Sequence, residues 1–185
     1  FLAKAIIIAT GVRRKTLEIE GEDGFKDKGI LTSGKRDKDL VKDKKVLIIG
    51  GGDAALENSL ILSETASKVY IAHRRKEFRA REEFIKKAKS ESKIEFLQET
   101  ILKKIVGKEK IETVELETVS HNEIYTLSID AILFRIGVQP NTEFLNKQIE
   151  LDLKSYIKIN SFCETSLQGI FAIGDVANPI SPTIS

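Results

Sequence analysis

The apolar positions fall into short runs whose spacing changes along the chain. Phe1 to Ala9 is strand-like, and its core, Ala5-Ile6-Ile7-Ile8-Ala9, is a continuous apolar run ended by Thr10-Gly11 that predicts a buried strand. The stretch from Arg13 to Lys45 is charged, contains Gly21, Gly24, Gly29 and Gly34, and reads as a linker. Val46-Leu47-Ile48-Ile49 predicts a second buried strand, closed by Gly50-Gly51-Gly52. Asp53 is placed to cap a helix reaching about Glu64, with Ala55, Leu56, Leu60 and Ile61 on its inner side. Val69 to Ala72 completes a βαβ unit. A second helix is predicted over Glu77 to Ser90, burying Phe78, Phe84, Ile85 and Ala88, with a third parallel strand at Ile94 to Leu97.

Beyond this point the period falls to two. Leu102–Val106, Ile111–Val119 and Ile124–Ile129 alternate, separated by the turn-forming stretches Gly107–Lys110 and Ser120–Glu123, which predicts an antiparallel meander. Ala131 to Ile136 is a further strand, broken by Gly137 and Pro140-Asn141; Tyr156–Ile159 and Gly169–Ile173 are the last two candidates. Strands alternating with helices, then a meander, predict an α/β fold, with a Rossmann-type three-layer domain built on a parallel sheet.

Composition narrows the function classes. With 41% hydrophobic and 31% charged residues in a chain of 185, a packed core is expected. The formal net charge of +2 argues against a nucleic-acid or membrane-surface protein. No apolar run approaches the roughly 20 residues of a membrane span. The single cysteine, Cys163, excludes an internal disulfide, a dithiol pair and a cysteine-rich metal site; no metal centre is expected, and a reducing cytoplasmic compartment is. The chain has no methionine and opens directly on a strand-like run, which predicts an internal piece of a longer protein.

Two motifs carry chemistry. Gly50-Gly51-Gly52-Asp53-Ala54-Ala55 fits G-x-G-x-x-A between a strand and a helix. Gly50 would permit the tight turn, Gly52 the approach of a diphosphate, and Ala55 close helix–strand packing, with the helix amides and dipole favouring the anion. A ligand-free glycine turn is the alternative. At the end of the next strand, where NAD-binding units place an acid for the ribose hydroxyl, stand His73-Arg74-Arg75, followed by Arg79 and Arg81. Guanidinium groups suit a 2′-phosphate, so Arg74, Arg75 and Arg79 predict NADPH rather than NADH. The alternative is a solvated basic face, with Arg81 read as a surface residue; yet arginines opening a helix need an anion to offset the dipole.

These residues resemble the low-molecular-weight thioredoxin reductase family of pyridine nucleotide–disulfide oxidoreductases. The matching stretches are Ala9-Thr10-Gly11, Gly50 to Ala55, His73-Arg74-Arg75 with Phe78-Arg79-Ala80, Ile136-Gly137 with Pro140-Asn141-Thr142, and Gly169 to Asp175, in the family's order. The resemblance implies an NADPH-binding domain at 13–137 inserted between partial FAD-domain segments at 1–12 and 138–185. It implies that Ile136 and Gly137 approach the nicotinamide, and that Thr10, Gly11 and Asp175 belong to an FAD site in a complete parent. A homodimeric parent and hydride transfer from NADPH to FAD are also implied.

Against the family pattern, Ser33 and Arg36 of Ser33-Gly34-Lys35-Arg36-Asp37 occupy the positions of its redox cysteines. Neither can exchange a disulfide, so no catalytic residue is assigned and the dithiol step is excluded for this chain. The electron acceptor is then unidentified, with a ferredoxin- or flavodoxin-type protein or a separate thiol carrier compatible. A non-catalytic NADPH sensor module is the second reading. Arg135, before Ile136-Gly137, either contacts a cofactor phosphate or faces solvent. His121 sits in a predicted hairpin turn at the surface.

Overall fold

Val46, Leu47, Ile48 and Ile49 are at most 7% exposed, because their strand is covered on both faces. The structure, a computed structural model, describes residues 2–179. Phe1 of the opening run and residues 180–185 of the C-terminal segment lie outside the described residues.

In chain order the elements are β1 (Ile6–Ile8), β2 (Val12–Arg14), β3 (Ile30–Leu31), β4 (Lys45–Ile49), α1 (Asp53–Ser63), β5 (Lys68–Ala72) and α2 (Glu82–Ser90). Then come β6 (Ile94–Leu97), β7 (Thr100–Gly107), β8 (Ile111–Thr118), β9 (Glu123–Ser128), β10 (Ala131–Phe134), β11 (Val138–Pro140) and β12 (Ile170–Ala172). The chain divides into two compact units, one of Thr16–Ile136 and one of the residues up to Lys15 together with those from Gly137 onward.

The first of these is the predicted α/β domain. Its five-stranded sheet has the order β3-β10-β4-β5-β6, with every pairing parallel. Successive side chains of a strand point to opposite faces. Val46 and Ile48 therefore join Ala55, Leu56 and Leu62 of α1 in one core, while Leu47 and Ile49 join Ile105, Val114 and Leu116 in another. The second core lies under the antiparallel sheet β7-β8-β9, so helices, parallel sheet and meander form three layers. Each large side chain buried this way contributes roughly 1.5–3 kcal/mol.

Several expectations are corrected. The charged stretch 13–45 is not a linker: β3 pairs with β10 in the main sheet, and Phe25, Leu31 and Val41 are buried. Their apolar signals are a lone Phe25 and the pairs Ile30-Leu31 and Leu40-Val41, too short for a window pattern to register. The buried face of α1 runs through Ala55, Leu56, Asn58, Ser59, Leu62 and Ser63; of the other two expected residues, Leu60 packs partly buried against that core and Ile61 is only half-buried. Ser59 and Ser63 bond back to Leu56 O (2.6 Å) and Leu60 O (2.8 Å), so hydroxyls are tolerated on the inner face. The second helix starts at Glu82, not Glu77, because the preceding residues are held by the glycine turn. Tyr156–Ile159 forms no strand, only an isolated bridge between Leu151 and Ile157.

In the second unit β1 pairs parallel with β12, and β2 antiparallel with β11. Ile8, Leu145, Ile149, Ile157, Ala172 and Val176 form its core. The opening run is a strand, but only Ile8 is buried: Ile6 and Ile7 are 52% and 64% exposed, since their two-stranded sheet covers little of them.

Candidate functional site

The three glycines after β4 are required for different reasons. Gly50 N donates to Ala72 O (3.0 Å) and Arg135 N to Ile49 O (2.7 Å), so the turn starts wedged between β5 and β10. Gly50 has φ +153°, and a β-carbon there would lie 2.4 Å from Arg135 O. At Gly51 a β-carbon would lie 2.3 Å from His73 Nδ1. At Gly52 it would meet nothing within 4 Å. Gly52 is the extended N-cap of α1, and no side chain caps that end. Ala55 N donates back to Gly52 O (3.0 Å), so the open first-turn amides, suited to an anion, are those of Asp53 and Ala54. Ala54 itself is exposed. Ala55 is fully buried, and its Cβ would stand 3.2 Å from a β-carbon on Gly50, so helix and strand meet too closely for a larger residue.

Asp53 does not cap the helix. It is the first helical residue, one position too late for its carboxylate to reach the open amides. The carboxylate instead accepts the backbone N–H of Arg81 at Oδ1 (2.7 Å) and Arg81 Nε at Oδ2 (3.0 Å). Arg81 also pairs with Glu83 (3.0 Å) and lies 4.6 Å over the Phe84 ring, so it is a fastened residue at the surface.

His73 follows β5 and is 5% exposed. Its Nε2 donates to Glu77 O (3.1 Å), and its ring packs 5.0 Å from Phe78, which meets Phe96 edge-on. Burial holds the imidazole below its ordinary pKa of 6.5; the bond to the Glu77 carbonyl opposes this, and the charges of Arg79, Arg75 and Arg74 reinforce it. The arginines do not open a helix, as the sequence suggested. They lie on a non-helical loop, because Arg79 N donates to Gly51 O (2.7 Å) and draws 74–79 onto the glycine turn. The helix-dipole argument therefore does not apply to them; Glu82 and Glu83 fill the first turn of α2. Arg74, Arg75 and Arg79 are exposed, and among the described residues their guanidinium groups have no hydrogen bond or ion pair.

The Thr32–Asp37 loop is closed by a carboxylate. Asp37 Oδ2 accepts from Thr32 N (2.7 Å), Ser33 N (2.9 Å) and the Thr32 hydroxyl (3.0 Å). Burial pushes this carboxyl up, but the hydrogen bonds from Ser33, Thr32 and Arg36 outweigh it and hold the pKa below the ordinary value. Arg36 also bonds the Thr32 hydroxyl, and its backbone N–H donates to Ser33 Oγ (3.4 Å). Gly34 N donates to Asn58 Oδ1 (2.8 Å), tying the loop to α1. Arg135, left open by the sequence, donates to Phe134 O (2.8 Å), Thr32 O (3.3 Å) and Asn58 Oδ1 (3.2 Å). Sequence reading missed Gly51, Asn58 and Arg81; Asn58, a polar residue on the inner face of α1, was the one visible signal.

Ile136 is half-buried against the meander-side core. In the other unit Gly137 (φ +96°) accepts from Lys15 N (3.1 Å). Thr10 Oγ1 donates to Asn141 O (2.8 Å), Asn141 Nδ2 to Thr10 O (2.8 Å) and Asn141 N to Gly11 O (3.0 Å), closing a turn in which Gly11 has φ +65°. Asp175 is half-buried in a single 3-10 turn, Gly174–Ala177. Cys163 is a free thiol in this unit. Among the described residues no group of acidic, histidine or cysteine side chains could hold a metal, and no helix is long and apolar enough to cross a membrane.

Known proteins place the chain in a family. The family described as pyridine nucleotide-disulphide oxidoreductase matches residues 1–185, and the chain belongs to it. It is 40% identical over 177 residues to a thioredoxin reductase of Chlamydia pneumoniae, covering 93% of this chain and 57% of that protein. It is 33% identical to that of Mycolicibacterium smegmatis, again spanning 57% of it. The solved thioredoxin reductase of Lactococcus lactis superposes with a TM-score of 0.88 at 33% identity, covering 99% of this chain and 61% of that one. The T. acidophilum thioredoxin reductase gives 0.86 at 27%, with 98% and 60% covered. The chain thus spans a little under two thirds of the relatives it matches.

Proposed function

We propose that this chain is the NADPH-binding part of a flavoprotein oxidoreductase. Residues Gly50, Gly52, Asp53, Ala54 and Ala55 build the diphosphate end of the site. Arg74, Arg75 and Arg79 select the 2′-phosphate, with His73 ordering their loop. The single observation carrying this reading is the trio of exposed guanidinium groups without partners on a loop bonded to the glycine turn by Arg79 N–Gly51 O. Neighbouring Arg81, doubly ion-paired, marks the contrast. Three like charges held together are unfavourable unless an anion joins them, and charge-assisted bonds to phosphate contribute roughly 1.5–3 kcal/mol each.

Ile136 and Gly137 are the residues assigned to the nicotinamide half, and Thr10, Gly11 and Asp175 to FAD in a longer parent. When bound, NADPH supplies a hydride and FAD accepts it. The chain's own contribution is to bind, orient and select the reduced nucleotide. Ser33 and Arg36 stand where a dithiol would be needed, which favours an onward acceptor other than a disulfide on this chain. The same observation supports a second reading, an NADPH-binding module without redox chemistry.

Titration with NADPH and NADH at two salt concentrations, followed by nicotinamide fluorescence, tests the proposal. NADPH is expected to bind far more tightly, with a preference that falls with salt and is lost in Arg74→Ala and Arg79→Ala. Equal affinity for the two nucleotides, unchanged in those variants, would refute it.

A further inference from the structure

A carboxylate on the first residue of a helix is stabilised by the dipole. It also opposes any anion bound at the same end. Asp53 holds that position at the start of α1, where the open amides of the glycine turn lie. Both its oxygens are taken by one residue: Oδ1 by the backbone N–H of Arg81 and Oδ2 by its Nε. Arg81 is itself held in place by Glu83 and by the face of Phe84. Two bonds of 2.7 Å, Arg79 N to Gly51 O and Arg81 N to Asp53 Oδ1, thus lace the 79–81 segment along 51–53.

From this geometry we infer that Arg81 is a positioning residue for the diphosphate end of the site, offsetting and orienting the Asp53 carboxylate so that an anion is accepted beside it. The inference rests on the diphosphate reading of Gly50–Ala55. It separates two jobs within one basic stretch. Arg74, Arg75 and Arg79 discriminate between nucleotides, whereas Arg81 acts on the diphosphate that NADPH and NADH share. Its effect is therefore the same for both.

The test is fluorescence titration of the 185-residue chain with each nucleotide, in wild type, Arg81→Ala, Asp53→Asn and the double variant, at low and moderate salt. Arg81→Ala is expected to weaken both nucleotides by the same factor, about two- to fivefold at low salt and less at higher salt. Asp53→Asn is expected to tighten both slightly. The double variant should recover most of what Arg81→Ala loses, since the carboxylate that needed offsetting is gone. Arg81→Lys, which keeps the charge but not the Nε–H contact, should fall between wild type and Arg81→Ala. Both side chains are partly exposed (62% and 45%), so thermal unfolding of each variant should match wild type and exclude misfolding.

A role confined to holding the arginine loop predicts something different: a loss selective for NADPH, with no recovery in the double variant. Either of those results overturns the inference, as does an Arg81→Ala variant that binds both nucleotides like wild type. If wild type binds neither nucleotide, the diphosphate reading itself falls, and that outcome is distinguishable from the others.

Discussion

Gly51 and Gly52 are adjacent, yet alanine at the two positions should fail in opposite ways. A methyl group on Gly51 would stand 2.3 Å from His73 Nδ1, 2.4 Å from Cε1 and 2.6 Å from Cγ. Ordinary contact begins near 3.4 Å, so ring and turn must part by about 1 Å. The imidazole is held in place by Phe78, itself packed on Phe96, and by the bond from its Nε2 to Glu77 O. Overpacking of this kind costs about 1–3 kcal/mol. The displaced ring would carry the arginine loop with it, so NADPH affinity should fall along with stability. Gly52 has an extended φ of −103°, which alanine adopts freely, and its added methyl would meet nothing within 4 Å. Gly52→Ala should hold stability to within about 0.5 kcal/mol, while a methyl at the helix entrance weakens NADPH and NADH alike. Urea unfolding followed by far-UV circular dichroism, paired with nucleotide titration, separates the two variants. A Gly51→Ala protein as stable as wild type would refute the claim that the middle glycine is set by the histidine. A Gly52→Ala protein that binds both nucleotides normally would refute the role given to the open face of the turn.

Further outcomes follow from individual side chains. Asp37→Ala should cost about 2–3 kcal/mol in urea unfolding, since three hydrogen bonds from Thr32 and Ser33 lose a charged acceptor. The Asp37 carboxyl has a folded pKa below its ordinary 3.8, so its contribution is present above that value and disappears as pH falls through the lowered one. Asp37→Asn should flatten that part of the acid-stability curve, and an unchanged curve would count against the loop geometry. His73 is depressed below 6.5, so the unfolded chain takes up the proton first and stability should decline as pH drops below about 6.5. His73→Gln, which can still donate to Glu77 O, should lose that slope; a slope that persists would place its origin elsewhere. Arg74→Ala and Arg79→Ala should leave the unfolding midpoint within about 0.5 kcal/mol of wild type, as both are exposed and unpaired. A loss above about 1 kcal/mol would reveal a structural role.

How much of this could be read from the chain depends on how far apart the cooperating residues lie. Strands β4, β5, β6 and the meander were legible because local periodicity and burial coincide there. Strand β3 is two residues long and exists only because β10, about a hundred positions away, offers it an edge, so no local pattern announces it. Residues 77–81 carry helix-forming side chains, but a helix there would need Arg81 N to donate to Glu77 O; Arg81 N goes instead to Asp53 Oδ1 and Glu77 O to His73 Nε2, so tertiary contacts overrode propensity. The candidate site divides along the same line. Its glycines and arginines were visible as a motif, while the contacts joining them run through Asn58 and Arg81, whose bonded partners lie 24 to 77 positions away, and through His73, which packs against Gly51. The Ser33–Asp37 loop shows why this matters for function. It is closed by the Asp37 carboxylate and tied down by Gly34 on Asn58, where a β-carbon would lie 2.3 Å from Oδ1. Ser33 Oγ and the Arg36 side chain add further bonds to Arg36 N, Thr32 and Asp37, so the positions that would carry sulfur are filled by groups that fasten the loop. The loop is therefore held against α1 in a chain that has no cysteine at position 33 or 36.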